Sequence, residues 1–281
     1  MIWRCGRFAF DLTKPIIVGI LNITPDSFSD GGENYNQKIA YARAQQMLSE
    51  GATIIEIGGE STRPGSDEVL VAEELARVLP ITKQLCAEGA AVSIDTRHAQ
   101  VALHCLDAGA VIVNDVSGFR DPKMCGLVAS SDVGCVVMHM LGEPKSMQDD
   151  PQYDDVVAEV TDYLLNQAER LKALGVAPDR ICLDPGPGFG KSFEHNLALL
   201  KATSAMSTLG YPLMTAFSRK RFIGDITGIT IAAERALPSA IVAAWAASEG
   251  ARVLRVHDVR ETVEALSVVR HLKESDQVDG G

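Results

Sequence analysis

The feature that most constrains the fold of this 281-residue chain is the alternation of short β-branched apolar runs with longer stretches of helical character. The runs are continuously apolar, which is typical of parallel strands that helices cover on both faces. A segment long enough for a helix follows each run. The pattern predicts an α/β fold, a (β/α)8 TIM barrel, with strands at residues 16–21, 53–57, 91–94, 111–114, 134–138, 180–183, 212–217 and 252–256.

An open, doubly wound sheet is the alternative fold. It would usually carry fewer strands and a glycine-rich turn after the first strand. Here Leu21 is followed directly by NITPDSF. The helix after the fifth strand is the clearest of the chain, because apolar residues from Val156 to Leu174 recur at three- and four-residue steps until Gly175. We therefore prefer the barrel.

The chain shows no internal boundary. No stretch rich in proline, glycine or serine divides it, so we predict a single domain over residues 1–281, with the barrel core at 16–272. The composition of the last residues, 274–281, predicts a disordered tail.

Composition excludes several classes of function. The net charge is −11 and no dense basic run is present, which argues against nucleic acid and anionic membrane as partners. Neither a leader peptide nor about 18 consecutive uncharged apolar residues can be found, so we expect a cytoplasmic protein. The six cysteines form no C-x-x-C pair and are expected to be reduced, buried thiols.

Polar residues stand where the apolar runs stop, and in a barrel these strand ends share one mouth. Any one of them could be a helix cap instead. Caps do not explain why cationic side chains recur at several ends, so we favour a functional site. The residues concerned are Asn22, 58–63, Asp95, Asn114, His139, Asp184, 218–220, Arg255 and His257.

The charges at this mouth indicate the ligand. Arginine, lysine and histidine gathered in an acidic protein suit a phosphate or carboxylate, and a diphosphate fits. The oxygens of Asp95, Asn114 and Asp184 suit the N–H and amino groups of a flat nitrogen heterocycle, such as a pterin.

Seven motifs make the prediction specific. In their order and spacing they resemble the signatures of dihydropteroate synthase, and the resemblance spans residues 16–272. The motifs are LNITPDSFSDGG (21–32), EIGGESTRPG (56–65), SIDT (93–96), NDVSG (114–118), LDPGPGFGKS (183–192), SRKRFIG (218–224) and RVHDV (255–259).

The resemblance implies a Mg²⁺-assisted transfer in folate biosynthesis. It would join 6-hydroxymethyl-7,8-dihydropterin diphosphate to 4-aminobenzoate, without a covalent enzyme intermediate. By motif position, catalysis would rest on Arg63, Lys220, Arg255 and His257, and Asn22 would offer its amide oxygen to Mg²⁺. The pterin diphosphate would contact Thr62, Asp95, Asn114, Met138, Asp184, Lys220, Arg255 and His257.

The same resemblance implies the second subsite. The aminobenzoate would lie among Phe28, Thr62, Pro64, Phe189, Ser218 and Lys220, with its carboxylate near Ser218 and the start of the following helix. Sulfonamides are expected to compete there. The loops at 24–32 and 59–65 are expected to exclude water from the reacting pterin.

The sequence departs from the family pattern at Pro187, at Arg97-His98 and at MTAF before SRK. Other motifs carry rival interpretations that we set aside. GPGFGKS lacks the first glycine of a phosphate-binding P-loop, His139 lacks the spacing of a metal cluster, and Lys220 lies beyond its strand rather than within it as a Schiff-base lysine would.

Two alternatives to the synthase stay open. A methyl-transfer enzyme with a similar pterin pocket is disfavoured by STRPG and SRKRFIG, and a silent pterin-binding protein by the presence of Arg63, Lys220, Arg255 and His257. The small apolar residues of 238–251 either pack on the barrel or form a self-complementary surface. The resemblance favours the surface, and hence a homodimer.

Overall fold

A computed structural model describes residues 1–23, 33–61, 69–143 and 146–275. The strands in these ranges are β1 (Ile2–Cys5), β2 (Phe8–Asp11), β3 (Ile16–Asn22), β4 (Ile54–Gly58), β5 (Val92–Asp95), β6 (Ile112–Asp115), β7 (Gly134–Met138), β8 (Ile181–Asp184), β9 (Met214–Thr215) and β10 (Val253–Val256). The helices are α1 (Glu33–Glu50), α2 (Val71–Ala87), α3 (Ala99–Asp107), α4 (Pro122–Ala129), α5 (Val156–Ala173), α6 (Phe193–Lys201), α7 (Thr203–Met206), α8 (Arg221–Thr227), α9 (Ala236–Ser248) and α10 (Val259–Ser275).

The strands β3 to β10 form one parallel sheet in the order β8-β7-β6-β5-β4-β3-β10-β9. A parallel bridge between Leu183 and Leu213 joins the two ends, and the Leu183 amide donates to the Pro212 carbonyl over 2.9 Å. The sheet therefore closes on itself and the helices surround it, which confirms the predicted (β/α)8 barrel.

Side chains inside the barrel are stacked in layers, because residues two apart on a strand face the same side. The lowest layer is apolar and includes Val18, Ile54, Ile112, Cys182 and Val253, all buried. Two residues further along, the same inward face carries Glu56, Asn114, Asp184 and Arg255. The strands thus hold an apolar floor beneath a charged layer.

The first two strands were not predicted. They form an antiparallel hairpin in which Trp3 pairs with Phe10, and both side chains pack against the apolar floor. The Trp3 indole also donates to the Arg180 carbonyl over 3.1 Å, so its one polar atom is satisfied. The hairpin closes the end of the barrel opposite the mouth.

We expect Trp3→Ala to lower the free energy of unfolding by about 3–5 kcal/mol, because it removes a fully buried indole from a closed floor. Urea denaturation measures the change, and Ile2→Ala is the matched control because Ile2 is exposed on the same strand. A midpoint for Trp3→Ala equal to that of the wild type would show that the hairpin does not stabilise the barrel.

The helices pack as their periodicity predicts. In α5 the buried side chains are Val156, Val160, Leu164, Ala168 and Leu171, and Asp155 caps the helix by accepting from the amides of Val157 and Ala158. The predicted helix ending at Gly175 is confirmed.

Three details differ from the sequence prediction or lie outside it. The seventh strand was expected over 212–217, but only Met214–Thr215 pairs as a strand. The helix α10 includes 274 and 275, the first residues of the predicted tail, and 276–281 lie outside the described residues. Whether the chain is a single domain stays a prediction.

No single helix in the described ranges is both long and apolar enough to cross a membrane. The helix α8 and the segment Ala232–Ser248 pass that test of length and composition only as a pair, and they meet at a bend of 77°.

Candidate functional site

The polar residues predicted at the strand ends do meet at one mouth. Asn22, Asp95, Phe189, Ser218, Lys220, Arg255 and His257 all line one open cleft there. Asn114, Met138 and Asp184 lie beneath it and are almost completely buried. Phe28, Thr62, Arg63 and Pro64 lie outside the described residues, so their predicted roles stay predictions.

The centre of the site is Arg255, which bridges two carboxylates. Its Nε donates to Glu56 Oε1, and its Nη2 donates to Asp95 Oδ2 over 2.5 Å. Burial alone would lower the pKa of Arg255, but the two carboxylates raise it above its ordinary value. Arg255 is therefore a fixed positive charge beneath the cleft.

Burial also raises the pKa of the Asp95 carboxyl, with Arg255 opposing the change and Glu56 adding to it. Two carboxylates thus share one guanidinium. The charges of Arg255, Asp95 and Glu56 act on one another. A ligand that binds beside them therefore changes the protonation of Asp95 through its own charge and hydrogen bonds.

Sequence reasoning missed Glu56, the partner of Arg255. It stands inside the apolar run TIIEI rather than at its end, and only 1% of it is exposed. Its Oε2 accepts from Ser93 Oγ over 3.1 Å and from Asn114 Nδ2 over 3.0 Å. The period of two, which places Glu56 one layer above Ile54, is the signal that could have found it.

The two polar atoms of the Asn114 side chain differ in their hydrogen bonds. Its Nδ2 donates to Glu56, whereas its buried Oδ1 has no hydrogen-bond partner within the described ranges. A buried acceptor without a partner costs about 1–3 kcal/mol, so such an atom usually serves a ligand. The Asn114 oxygen is therefore a candidate contact for an N–H group.

Asp184 is buried and Lys220 is half-buried, and their opposite charges act on each other. Burial raises the pKa of Asp184 and lowers the pKa of Lys220 to about 7, while each residue's charge partly offsets the change in the other. The Lys220 ammonium also donates to the Pro187 carbonyl and lies 4.3 Å from the centre of the Phe189 ring. One face of this ring therefore lies against a cation.

The backbone around Asp184 explains its glycine-rich loop. Asp184 Oδ1 accepts from the Gly186 amide over 2.8 Å, and Gly186 has a φ of +63°. A Cβ at this position would lie 1.9 Å from the His139 carbonyl oxygen. Glycine is required there by both space and conformation.

At the upper rim, Ser218 and His257 hold each other. The His257 amide donates to Ser218 Oγ over 3.1 Å, and Ser218 Oγ lies 3.0 Å from His257 Nδ1. Ser218 is itself buried. Its hydroxyl thus contacts His257, and the prediction that the aminobenzoate carboxylate lies near Ser218 stays a prediction.

Met138 lies in an apolar patch with Val116, Met140 and Met147, and Phe189 packs against the same patch. Methionine side chains adapt to flat ligands, so the patch suits the face of an aromatic ring. The pocket-lining role predicted for Met138 stays a prediction.

His139, the rejected metal ligand, is buried against Lys191, whose Nζ lies 2.9 Å from His139 Nδ1. Burial and the Lys191 charge lower the pKa of His139 to about 3, so the imidazole is neutral. Lys191 also donates to the Phe189 carbonyl over 3.0 Å. The lysine of GPGFGKS therefore binds this loop.

The departures Arg97 and His98 belong to a separate network beside the mouth. Arg97 donates to both oxygens of Glu60 over 3.0 and 2.9 Å, and His98 Nδ1 lies 2.7 Å from Glu74 Oε2. Glu60, Glu74 and His98 come close enough together to hold a cation. Because Arg97 already neutralises Glu60, an ion pair network explains the cluster better than a metal does.

A magnesium ligand at Asn22 fits the local chemistry. Asn22 ends β3 opposite Gly58, and its Oδ1 lies 3.4 Å from the place of a Cβ on Gly58. An Asp95 carboxylate oxygen lies 3.8 Å from the same point. This Asp95 oxygen already accepts from Arg255, so the amide oxygen of Asn22 is the candidate ligand on this side of the glycine.

Comparisons with known proteins agree with this geometry. Residues 18–257 match the family described as pterin binding enzyme. The chain is 46% identical over 269 residues to a dihydropteroate synthase of Neisseria meningitidis serogroup C, covering 94% of this chain and 95% of the relative.

Two solved structures are also similar. The Yersinia pestis dihydropteroate synthase with a sulfonamide drug complex has a TM-score of 0.92 and 41% identity, over 98% of this chain and 100% of the other. The Burkholderia cenocepacia dihydropteroate synthase complexed with 7,8-dihydropteroate has a TM-score of 0.90 and 41% identity, over 98% of both chains.

Proposed function

Because this chain belongs to the dihydropteroate synthase family of pterin-binding enzymes, we propose that the charged layer at its barrel mouth holds the two substrates of that reaction. The protein is a transferase of folate biosynthesis. It condenses 6-hydroxymethyl-7,8-dihydropterin diphosphate with 4-aminobenzoate to give 7,8-dihydropteroate and diphosphate. The observation that carries the placement is the buried Asn114 oxygen, which is open for an N–H donor beside Arg255 and Asp95.

The pterin ring is assigned to the buried layer. Asn114 Oδ1 and the Asp184 carboxylate accept from ring N–H and amino groups, and Asp95 adds a third acceptor. Lys220 donates to a ring acceptor. Met138 packs against the ring face, and Arg255 lies against the ring and reaches the diphosphate.

The reaction breaks the bond between the pterin methylene carbon and the diphosphate oxygen. A bond from that carbon to the amine nitrogen forms, and the nitrogen loses one proton. Arg255, His257 and Arg63 are assigned to the leaving diphosphate, where the fixed positive charge of Arg255 would stabilise the negative charge that develops. No covalent intermediate with the protein is required, so positioning and electrostatics account for the rate.

The aminobenzoate is assigned to the rim above the pterin. Phe189 offers a ring face, and Lys220 beside it offers a cation. Ser218, whose hydroxyl is held by His257, bounds this space rather than supplying its main donor. Phe28, Thr62 and Pro64, which lie outside the described residues, keep their predicted role as contacts of the aminobenzoate. A sulfonamide shares the aniline and an anionic or polar end, so it competes here.

Magnesium is proposed as the cofactor, held by the amide oxygen of Asn22. When bound, Mg²⁺ would neutralise charge on the diphosphate leaving group. Asn22 suits this role because a neutral amide binds the ion without adding a further negative charge beside Asp95.

An exposed apolar face supports a homodimer. Leu237, Ile241 and Trp245 stand four residues apart on α9, and Val268 and Leu272 stand four apart on α10, which packs against α9. These side chains are 39–69% exposed. An exposed apolar stripe of this kind is commonly buried against a second copy of the same chain.

We expect Ile241→Asp to convert the protein from dimer to monomer, because it places a charge at the centre of the stripe. Sedimentation equilibrium measures the mass. Leu174→Asp is the control, since Leu174 is similarly exposed just after α5, and it should leave the dimer intact. A wild-type protein that sediments as a monomer at micromolar concentration would contradict the proposal.

A cytoplasmic location is also proposed. All six cysteines are free thiols and five of them are buried, which suits a reducing compartment.

The function is tested by incubating the purified protein with the pterin diphosphate, 4-aminobenzoate and Mg²⁺, and by omitting each component in turn. Dihydropteroate and diphosphate are expected in equal amounts only from the complete mixture, and a sulfonamide should reduce both together. Binding of the pterin without formation of either product would instead support the methyl-transfer or silent-binder alternative.

A further inference from the structure

Three hydrogen-bond donors converge on the buried carboxylate of Glu56, and each comes from a different strand of the barrel. Arg255 Nε on β10 donates to Oε1, whereas Ser93 Oγ on β5 and Asn114 Nδ2 on β6 reach Oε2 over 3.1 and 3.0 Å. Glu56 itself is 1% exposed and does not line the cleft. It therefore acts only through these neighbours.

The direction of these hydrogen bonds is fixed by chemistry. A guanidinium can only donate, so Glu56 Oε1 is an acceptor. An ionised carboxylate only accepts, so the Asn114 amide must turn its nitrogen toward Oε2. Its oxygen is consequently turned away from Glu56, and this is the buried oxygen without a partner among the residues described.

We propose that Glu56 is a positioning residue that sets the hydrogen-bond polarity of the pterin site, by forcing Asn114 to present an acceptor to the ligand while holding Arg255 at Nε. The inference rests on the proposed pterin site. It assigns to Glu56 the choice between a ligand that donates at this point and one that accepts.

The proposal makes an unusual prediction for Glu56→Gln. Arg255 cannot accept, so the new amide must turn its oxygen to Arg255 and its nitrogen to Asn114. Asn114 then has to rotate by half a turn to accept this hydrogen bond, and it presents N–H₂ to the ligand. Two donors face each other where the pterin N–H needs an acceptor.

Asn114→Asp fails for the opposite reason, because it sets a second carboxylate against Glu56. In the double variant the faults cancel. The glutamine nitrogen donates to the new carboxylate at position 114, whose other oxygen again accepts from the ligand. The pair is thus a polarity switch that a double-mutant cycle can detect.

The test is the dissociation constant of 6-hydroxymethyl-7,8-dihydropterin, by isothermal titration. Each single variant should bind at least about tenfold more weakly than the wild type, as expected for a mispaired buried polar group. E56Q/N114D should recover to within about threefold of the wild type. Ser93→Ala is the matched control, because it removes a donor from the same Oε2 without reversing any polarity, and it should bind nearly as the wild type does.

A merely structural role for Glu56 would make the affinity losses of the two single variants add up, whereas the positioning role predicts that the double variant regains affinity. Should E56Q fail to fold, recovery of E56Q/N114D relative to Asn114→Asp still decides the question. The inference is overturned if E56Q binds the pterin as tightly as the wild type does. It is also overturned if the fold-increase in the dissociation constant of the double variant equals the product of the fold-increases of the two single variants. A wild-type protein that does not bind the pterin would overturn the proposed site as well.

Discussion

Arg255→Ala is expected to lower kcat/KM for the pterin diphosphate by about 10³-fold or more, because one side chain is lost from both the pterin and the leaving diphosphate. The change also leaves Glu56 and Asp95 as two buried carboxylates without their shared cation. Breaking a buried ion pair in this way costs about 3–5 kcal/mol of stability. Steady-state kinetics and urea denaturation measure the two losses separately.

Two controls distinguish these losses. Arg255→Lys keeps the charge but replaces a planar fork by a single ammonium, which cannot hold Glu56 and Asp95 in the same geometry, so stability should recover more than activity does. Arg252→Ala alters the residue just before the same strand, where Arg252 donates to the carbonyls of Ala247 and Ala251, and should leave kcat/KM unchanged. Activity of Arg255→Ala within threefold of the wild type would contradict the assignment.

Asp184→Asn is expected to lower kcat/KM by about 10²-fold, since it removes a buried negative charge that is assigned to the pterin and acts on Lys220. It should also change the pH dependence. The pKa of Lys220 is about 7, so in the wild type the ammonium is lost, and kcat/KM falls, as pH rises through this value. The Asp184 charge raises the pKa of Lys220, so its removal must shift the fall to lower pH.

The pH profile needs a comparison that cancels the ionisation of the substrate. Wild type and Asp184→Asn share that ionisation, so the difference between their profiles reports on the protein. Lys220→Arg is the second control, because a guanidinium stays charged and should remove the fall near pH 7. Identical profiles for wild type and Asp184→Asn would show that the two residues are not coupled.

The fold was predictable because its strands are short apolar runs that alternate with longer helical stretches along the chain. Seven of the eight predicted barrel strands agree with the structure to within one residue at each end, which is inside the usual uncertainty of an element end. The seventh is shorter because only Met214 and Thr215 pair with β10. The hairpin around Trp3 and Phe10 was not predicted, because strands of only four residues are too short to show a clear alternation of apolar and polar residues.

The site was only partly predictable from the same pattern. Asn114, Asp184 and His257 could be recognised because each is a polar residue at the point where an apolar run stops. Glu56 was hidden within an apolar run, and its role depends on Arg255, which is 199 residues away. Such a pairing follows from barrel closure and register rather than from any local spacing.

The charged layer at the mouth serves the reaction but contributes little to the stability of the fold. Glu56, Asp95, Asp184, Lys220 and Arg255 are all wholly or largely removed from water. Their mutual attraction offsets only part of the desolvation, so the layer is a weak source of stability. The apolar floor and the Trp3 hairpin below it supply the packing that holds these charges in place.

The most direct test of the account is a crystal structure of the protein with 7,8-dihydropteroate bound. We expect the pterin ring between Asn114 Oδ1 and the Asp184 carboxylate, each within hydrogen-bonding distance of a ring N–H or amino group. The aminobenzoate part should lie against Phe189 and Lys220. A ligand bound elsewhere, with the Asn114 oxygen still lacking a partner, would contradict the central claim.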